Sequence, residues 1–268
     1  MRYLFGPDGD AAMRALLTRR SLIALDYDGT LAPLAPTPDR ARTMSGVLEP
    51  LRHLDQLATV AILSGRRVED VAERMAFRPR YIVGNHGSEG LPIAEERTAL
   101  FAATCRQWLH QLTDMPASGV TQPGIFIEDK TLSLSVHYRI CRDRNSAVRS
   151  IESRIAKLHP TPRIIGGHCV INILPPDSPD KSSALHQLLV LSHSNNALYA
   201  GDDATDEVVF AAAPRNWITV RVGFVPTSAA LFFVHNQAEI PTLLNRLVAR
   251  LRAAPVLPAA ANDGSCHL

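Results

Sequence analysis

Short apolar runs that stop abruptly at polar residues recur along this chain. Leu22 to Leu25 runs into Asp26, Thr59 to Leu63 into Ser64-Gly65-Arg66, Tyr81 to Val83 into Gly84-Asn85-His86-Gly87, and Ala197 to Ala200 into Gly201-Asp202-Asp203. Continuous apolar runs of this length predict strands buried on both faces, and stretches between them, such as Ser45 to Leu57, carry helical periodicity. Strands alternating with helices predict an α/β fold built on a parallel sheet. Each polar cluster then falls at the carboxyl end of its strand, the edge where open α/β sheets place their ligands.

The middle third breaks this rhythm. Glu95 to Met115 predicts a helix, ended by Pro116 and the Pro123-Gly124 pair. A strand at Ile125 to Ile127, a polar connection at Glu128-Asp129-Lys130 and the alternating Leu132, Leu134 and Val136 predict a hairpin. A second helix over about Asp143 to Leu158 leads to a second hairpin, Arg163 to Ile165 and Cys169 to Leu174. This helix, hairpin, helix, hairpin unit, residues 95–177, is a smaller α+β body inserted between strands of the parallel sheet, which is left with residues 1–94 and 178–252. Pro175 to Pro179 makes a stiff return connection, and the Ala/Pro/Gly-rich residues 253–268 read as a disordered tail.

Composition narrows the function classes. With 46% hydrophobic and 20% charged residues in 268, the chain is ordinary globular protein, not disordered, collagen-like or coiled-coil. A net charge of +2 with both signs interspersed leaves no dense basic face, so no nucleic-acid partner is expected. No apolar run approaches the ~18 residues of a membrane span. Asp8, Asp10 and Arg14 deny the N-terminus the apolar centre of a secretory signal, so the expectation is a cytoplasmic, monomeric protein with no membrane partner. Cys105, Cys141, Cys169 and Cys266 are isolated, without zinc or disulfide-scaffold spacing, and read as buried thiols. Only Lys130, Lys157 and Lys181 among 28 cations are lysines, so each marks a place where a compact ammonium is needed in preference to a planar guanidinium.

The strongest chemical signal is Asp26-Tyr27-Asp28-Gly29-Thr30-Leu31 at the end of a buried strand. A turn beginning at Gly29 splays the two carboxylates around one point, so that Asp26 can attack phosphorus while Asp28 handles the proton. A pair of turn or helix-cap aspartates is the bland alternative. Ser64 follows the second strand, Lys181 starts a helix behind Asp180, and Gly201 to Glu207 follows a later strand. No Gly-Lys-Ser/Thr phosphate loop is present, which argues against a P-loop nucleotide enzyme.

Together the Asp26-to-Thr30 motif, Ser64-Gly65-Arg66, Lys181 and Gly201-Asp202-Asp203 resemble the four motifs of the haloacid dehalogenase superfamily of aspartate-nucleophile phosphatases. More narrowly, Asp26 to Leu34, Ser64 to Arg66, Asn85-His86-Gly87, Glu128-Asp129-Lys130, His137-Tyr138-Arg139 and Asp202 to Glu207 resemble the trehalose-6-phosphate phosphatase family. The resemblance implies a Rossmann-like hydrolase core with residues 95–177 as its cap domain, a sugar phosphate as the small-molecule partner, and Mg²⁺ as cofactor.

A phosphate dianion with Asp26 and Asp202 brings about four negative charges together, which only bound cations can offset. Mg²⁺ supplies two, held by the Asp26 and Asp202 carboxylates and the Asp28 carbonyl, and Lys181 a third. Ser64 offers a hydrogen bond to a phosphate oxygen. The remaining negative charge favours Asp28 arriving protonated. Asp206 orients Lys181 or a metal-bound water, and Asp203 stays open as a further ligand. Gly65, Arg66, Asn85 and His86, at the same sheet edge, touch substrate or hold the hinge of the inserted unit. Glu128 and Lys130, at spacing two, reach sugar hydroxyls, with an exposed ion pair as the alternative.

The last strand of the inserted unit departs from the family pattern. In the register fixed by Gly167 and Pro175, His168 stands where the family shows Lys, and Asn172 where it shows the Glu that grips the distal glucose. Asn172 still bonds a hydroxyl, but it is neutral and shorter. Sugar selectivity therefore stays open between trehalose 6-phosphate and another sugar phosphate, and a phosphomutase would use the same aspartyl phosphate. A phospho-acceptor signalling module is the alternative of a different class. The first-strand position of Asp26, the presence of Asp28 and the long insertion argue against it.

Overall fold

The computed structural model describes residues 1–35, 38–114 and 123–254. In chain order these residues form β1 (Arg2–Tyr3), α1 (Pro7–Leu16), β2 (Ser21–Asp26), α2 (Ser45–Leu57), β3 (Thr59–Leu63), α3 (Val68–Arg74) and β4 (Tyr81–Val83). Next come α4 (Glu95–Asp114), β5 (Phe126–Asp129), β6 (Leu134–His137), α5 (Arg144–Ile155), β7 (Arg163–Gly167) and β8 (Val170–Leu174). Last are α6 (Lys181–Leu191), β9 (Asn196–Gly201), α7 (Glu207–Ala212), β10 (Ile218–Val222), β11 (Phe232–Val234) and α8 (Ile240–Ala253).

Seven strands form one parallel sheet in the order β1-β11-β10-β9-β2-β3-β4. Every residue of β2 is buried, as its unbroken apolar run requires. Its pleat divides the core. Ile23 and Leu25 pack with Leu51, Leu54, Leu244 and Leu247 from α2 and α8, while Leu22 and Ala24 pack with Leu185, Leu188, Val209 and Phe210 from α6 and α7. The chain grows outward from β2 through β3 to β4, then returns after the insertion to lay β9 against the other side of β2. The order reverses between β2 and β9, so the crevice at their carboxyl ends is the topological switch point.

The inserted unit is a four-stranded antiparallel sheet, β5-β6-β8-β7, in which β6 and β8 join the two hairpins. Helices α4 and α5 cover one face, where Trp108, Leu112, Ile151 and Ile155 pack on Leu134, Val136, Ile171 and Ile173. Alternation along the strands places Phe126, Glu128, Ser135, His137 and Asn172 on the opposite face. That face meets the edge of the parallel sheet: Ser133 Oγ donates to Asn85 Oδ1 (2.7 Å), and Arg139 Nη1 donates to the Ala35 carbonyl (2.7 Å).

The parallel sheet, its insertion and the order helix, hairpin, helix, hairpin match the sequence-based expectation. The first hairpin turns later than expected. Glu128 and Asp129 belong to β5, and the turn runs from Lys130 to Ser133, closed by Lys130 N–H on the Ser133 carbonyl at 3.0 Å. Thr131 at φ +71° carries the reversal, so the polar Glu128-Asp129 pair is strand and not connection. Strands β1, β10 and β11 were not among those expected. Cys105 and Cys141 are buried thiols, but Cys169 is half-buried in the β7-β8 turn, contrary to expectation, because that turn reverses at the surface with φ +62° at Cys169 itself. Helix α8 holds Ala253, where the disordered tail was expected to begin; residues 255–268, with Cys266, lie outside the described residues, as does Pro116. No helix among the described residues is long and apolar enough to cross a membrane.

Candidate active site

Asp26 is the last residue of β2, and the residues next after β3 and β9 are Ser64 and Asp202. Because β2 lies between β3 and β9, the three come together at neighbouring strand tips. Gly29, at φ +83°, makes the turn that lies against Asp202. A Cβ at that position would overlap the Asp202 carboxylate.

Lys181 reaches the same point from the first position of α6, which Asp180 caps by accepting from Ser183 N–H. Its side chain is 2% exposed, and Nζ donates to Asp26 Oδ1 at 2.6 Å and Asp206 Oδ1 at 2.7 Å. Asp206 is itself enclosed: Oδ1 also accepts from Tyr199 Oη (2.6 Å) and Oδ2 from Asp203 N–H (2.9 Å). Burial opposes the Lys181 charge, yet Asp206 and Asp26 outweigh it and hold the ammonium well above its usual pKa. For Asp26, burial comes first and drives the pKa well up despite Lys181, with Asp206 and Asp202 adding repulsion. Burial, then Asp206 and Asp203, push Asp202 up to about 7.

Two carboxylate oxygens in this group, Asp26 Oδ2 and Asp202 Oδ1, are buried and accept no hydrogen bond. One oxygen from each of Asp26, Asp202 and Asp206 lies within 4.8 Å of the others. Buried orphan carboxylate oxygens this close are unfavourable without a cation, and hard oxygen donors suit a divalent one. Asp206 has both oxygens engaged by the protein, so Asp26 and Asp202 are the ligands with capacity to spare. Asp203 is not a member of the close group; its backbone serves instead, donating to Asp206 and accepting from Arg221 Nη1 at 3.2 Å.

Asp28 is held differently from Asp26. Arg66 grips it in a two-bond fork, Nε on Oδ2 at 2.6 Å and Nη2 on Oδ1 at 2.8 Å, while its Nη1 donates to Asp70 Oδ2 at 2.7 Å. Arg74 closes the chain by donating to Asp70 Oδ1 at 2.5 Å. Arg66 therefore serves first as a partner of Asp28. Ser64 Oγ accepts the Arg66 N–H at 3.1 Å.

His86 is buried at φ +58° with neither ring nitrogen hydrogen-bonded. Its ring lies close enough to Gly65 that any Cβ there would overlap it. Burial, then Lys130 and Lys181, push its pKa well below the usual value, so the imidazole is neutral. Asn85 is committed to the protein: Nδ2 donates to Glu89 Oε2 (2.8 Å) and the Lys130 carbonyl (3.3 Å), and Oδ1 accepts from Ser133. Of the two roles expected for Asn85, the geometry supports the hinge.

Across the cleft, Lys130 is buried and donates to the Gly65 carbonyl at 2.9 Å, joining the inserted unit to the β3 loop. Glu128 Oε2 pairs with His137 Nε2 at 2.7 Å and lies 3.9 Å from Lys130 Nζ. Burial works to raise Glu128, but His137 and Lys130 outweigh it and its pKa falls. Asn172 Oδ1 accepts from Ser135 Oγ (2.6 Å) and Nδ2 donates to the Ile165 carbonyl (3.3 Å), leaving one amide hydrogen for a ligand.

One open cavity of about 150 Å³ joins these groups, lined from the parallel sheet by Asp26, Asp28, Lys181 and Asp202 and from the inserted unit by Glu128 and Asn172. Gly65, Arg66, His86, Lys130 and His168 also line it, whereas Ser64, Asn85 and Asp206 do not. Tyr199, which orders Asp206, went unnoticed in the sequence because it reads as one more apolar position of a buried strand.

A family model described as trehalose-phosphatase matches residues 24–233. The chain is 31% identical over 260 residues to the trehalose-phosphate phosphatase of Mycobacterium tuberculosis (strain ATCC 25618 / H37Rv), covering 90% of this chain and 64% of that protein. It thus spans under two thirds of the length of that relative. A solved structure described as a trehalose-6-phosphate phosphatase related protein superposes with a TM-score of 0.69 at 25% identity, covering 85% of this chain and 97% of the other. The C-terminal domain of the Candida albicans trehalose-6-phosphate phosphatase shares the fold, with a TM-score of 0.70 at 19% identity over 92% of this chain and 98% of that one.

Proposed function

This chain belongs to the trehalose-phosphatase family, and from that premise we propose that it is a Mg²⁺-dependent phosphatase releasing trehalose and inorganic phosphate from trehalose 6-phosphate. The observation that carries the reading is the pair of orphaned oxygens on Asp26 and Asp202, set beside the buried Lys181 ammonium at the switch point of the sheet.

In the first half of the reaction, Asp26 attacks phosphorus through one of its carboxylate oxygens. The bond from phosphorus to the sugar oxygen breaks, and Asp28 gives that oxygen its proton. In the second half Asp28 takes a proton from water, whose oxygen attacks the phosphorus of the aspartyl phosphate and frees Asp26. Lys181 holds Asp26 by Oδ1, and Asp206 with Tyr199 fixes Lys181 in turn. Asp28 leaves its Arg66 fork as it takes up these roles, and Arg66 keeps Asp70 as its anchor. Asp26 and Asp202, with the Asp28 carbonyl, would hold Mg²⁺, which when bound offsets the charge of the phosphoryl oxygens.

Residues 95–177 act as the cap that covers the sugar, and residues 1–94 and 178–252 as the catalytic core. One chain supplies every group named, which suits a monomer. Glu128, Lys130 and His86 face the cavity as candidate contacts for sugar hydroxyls and phosphate.

The test is phosphate release from a panel of mono- and disaccharide phosphates with Mg²⁺. Trehalose 6-phosphate is expected to be hydrolysed over many turnovers, with Asp26→Asn and excess chelator each abolishing release. Faster turnover of another sugar phosphate would reassign the substrate, interconversion of sugar phosphates would make the enzyme a mutase, and a single stoichiometric phosphorylation would make it a signalling module.

A further inference from the structure

Three large apolar side chains stand exposed around the mouth of the cavity: Phe126 (40% exposed) and Ile140 (61%) from the inserted unit, and Leu34 (44%) from the loop after β2. A single exposed apolar residue needs no explanation, but three converging on one cleft mark a surface built to meet an apolar ligand face. Phe126 is the ordered member. Its cross-strand partner is His137, whose ring stacks on it at 4.4 Å with 12° between the planes. The bond from His137 Nε2 to Glu128 Oε2 fixes that ring. The aromatic surface is therefore held in place before any ligand arrives, which reduces the ordering cost of binding.

Its position along β5 is informative. Lys130, at the far end of the strand, donates to the Gly65 carbonyl beside the catalytic strand tips. Phe126 lies four residues back, roughly 13 Å away at the rise of an extended strand. A group held there is remote from the phosphorus by more than one sugar ring. A pyranose has a C–H face that packs on an aromatic ring and hydroxyls around its edge that need polar partners. Phe126 offers the first and the Glu128–His137 pair the second. Asn172 has only one amide hydrogen to add, since its oxygen is taken by Ser135.

We propose that Phe126, backed by His137 and flanked by Ile140 and Leu34, is the stacking platform for the sugar ring farther from the phosphate, and so a determinant of disaccharide over monosaccharide phosphates. The proposal rests on the reading of the site as a sugar-phosphate phosphatase.

The experiment compares wild type with Phe126→Ala, Phe126→Leu and Phe126→Trp. The substrates are trehalose 6-phosphate and two compounds without a second ring, glucose 6-phosphate and acetyl phosphate. Phe126→Ala is expected to lower kcat/KM for the disaccharide phosphate about tenfold, chiefly through KM, with less than a twofold change for the others. Phe126→Trp should restore the wild-type ratio and Phe126→Leu only part of it. Equal losses on all substrates, or full recovery with Leu, would overturn the platform. Binding of unphosphorylated trehalose to the Asp26→Asn protein, followed by saturation transfer to the sugar C–H protons, gives a second reading that needs no turnover. Should wild type release no phosphate from trehalose 6-phosphate, the reading of the site fails while this measurement still decides the platform: transfer lost in the Phe126→Ala, Asp26→Asn protein supports it, and unchanged transfer sinks it.

Discussion

At the scale of single residues, the choice between two cations shows how closely the site is fitted. This chain uses arginine almost everywhere, yet two of its three lysines, Lys130 and Lys181, are buried between core and cleft, and only Lys157 lies in solvent. Lys181 places one small ammonium 2.6 Å from Asp26 and 2.7 Å from Asp206 with no room to spare. A guanidinium carries the same charge in a wider planar fork. Lys181→Arg is therefore expected to keep the fold but cut steady-state phosphate release by about 100-fold or more, the scale of losing one preorganised donor. A variant with more than half the wild-type rate, its circular dichroism unchanged, would refute the fit. Asp26, Asp28 and Asp202 were legible as polar residues at the ends of apolar runs, and Lys181 as a lysine at a helix start in a chain that otherwise favours arginine. Tyr199 and the Arg66 fork were not. A hydroxyl inside an apolar strand and an arginine in a polar loop acquire their partners only when the turn before α7 folds back on β9 and the loop after β2 is brought beside β3.

At the scale of elements, the site is a consequence of strand order. Asp26 and Asp202 are far apart in sequence, but β2 and β9 are neighbours, so their carboxyl ends meet. The turn at Gly29 must then pass against Asp202 with φ +83°, a conformation and a clearance that a side chain denies. Gly29→Ala is expected to displace Asp202, weaken Mg²⁺ binding by at least tenfold in calorimetric titration and lower phosphate release in step, while far-ultraviolet circular dichroism stays unchanged. Wild-type Mg²⁺ affinity in that variant would mean the turn does not brace the carboxylate. The sequence showed β2, β3, β4 and β9 through their apolar runs. It hid β10, where Thr219 and Arg221 interrupt the pattern, and β1, only two residues long and paired to β11 at the sheet edge. The Glu128-Asp129 pair looked like a turn because both are polar. Glu128 sits in a strand nonetheless, since β5 turns it toward a cleft and His137 instead of toward a core.

At the scale of the whole molecule, folding gathers three carboxylates around one ammonium, and the resulting strain should be readable as a link between protons and metal. Asp202 is raised to about 7 from the ~3.9 of an unfolded chain. Asp26 is raised in the same sense. A carboxyl with a raised folded pKa takes up a proton in the native state first, so its protonation favours folding at low pH and that contribution is lost as pH climbs through 7. His86 acts oppositely: held neutral by burial, it disfavours folding as pH drops below ~6.5, where the unfolded chain is protonated. Glu128 and Asp70, both lowered, stabilise the fold above the ~4 of unfolded carboxylates and lose that contribution only as pH falls below it. The melting temperature without metal therefore mixes opposing slopes and discriminates little. The increment on adding Mg²⁺ is cleaner, because metal and protons compete for Asp26 and Asp202 while His86 contributes equally to both measurements. With Mg²⁺ at 100 times its Kd, about 2.7 kcal/mol of stabilisation at roughly 2–4 °C per kcal/mol gives an increment of about 5–10 °C at pH 8. It should shrink towards zero by pH 5.5 and be small at every pH in Asp202→Asn. Thermal unfolding with and without Mg²⁺ across that range tests the link, and an increment independent of pH would show that these carboxylates are not where the metal binds.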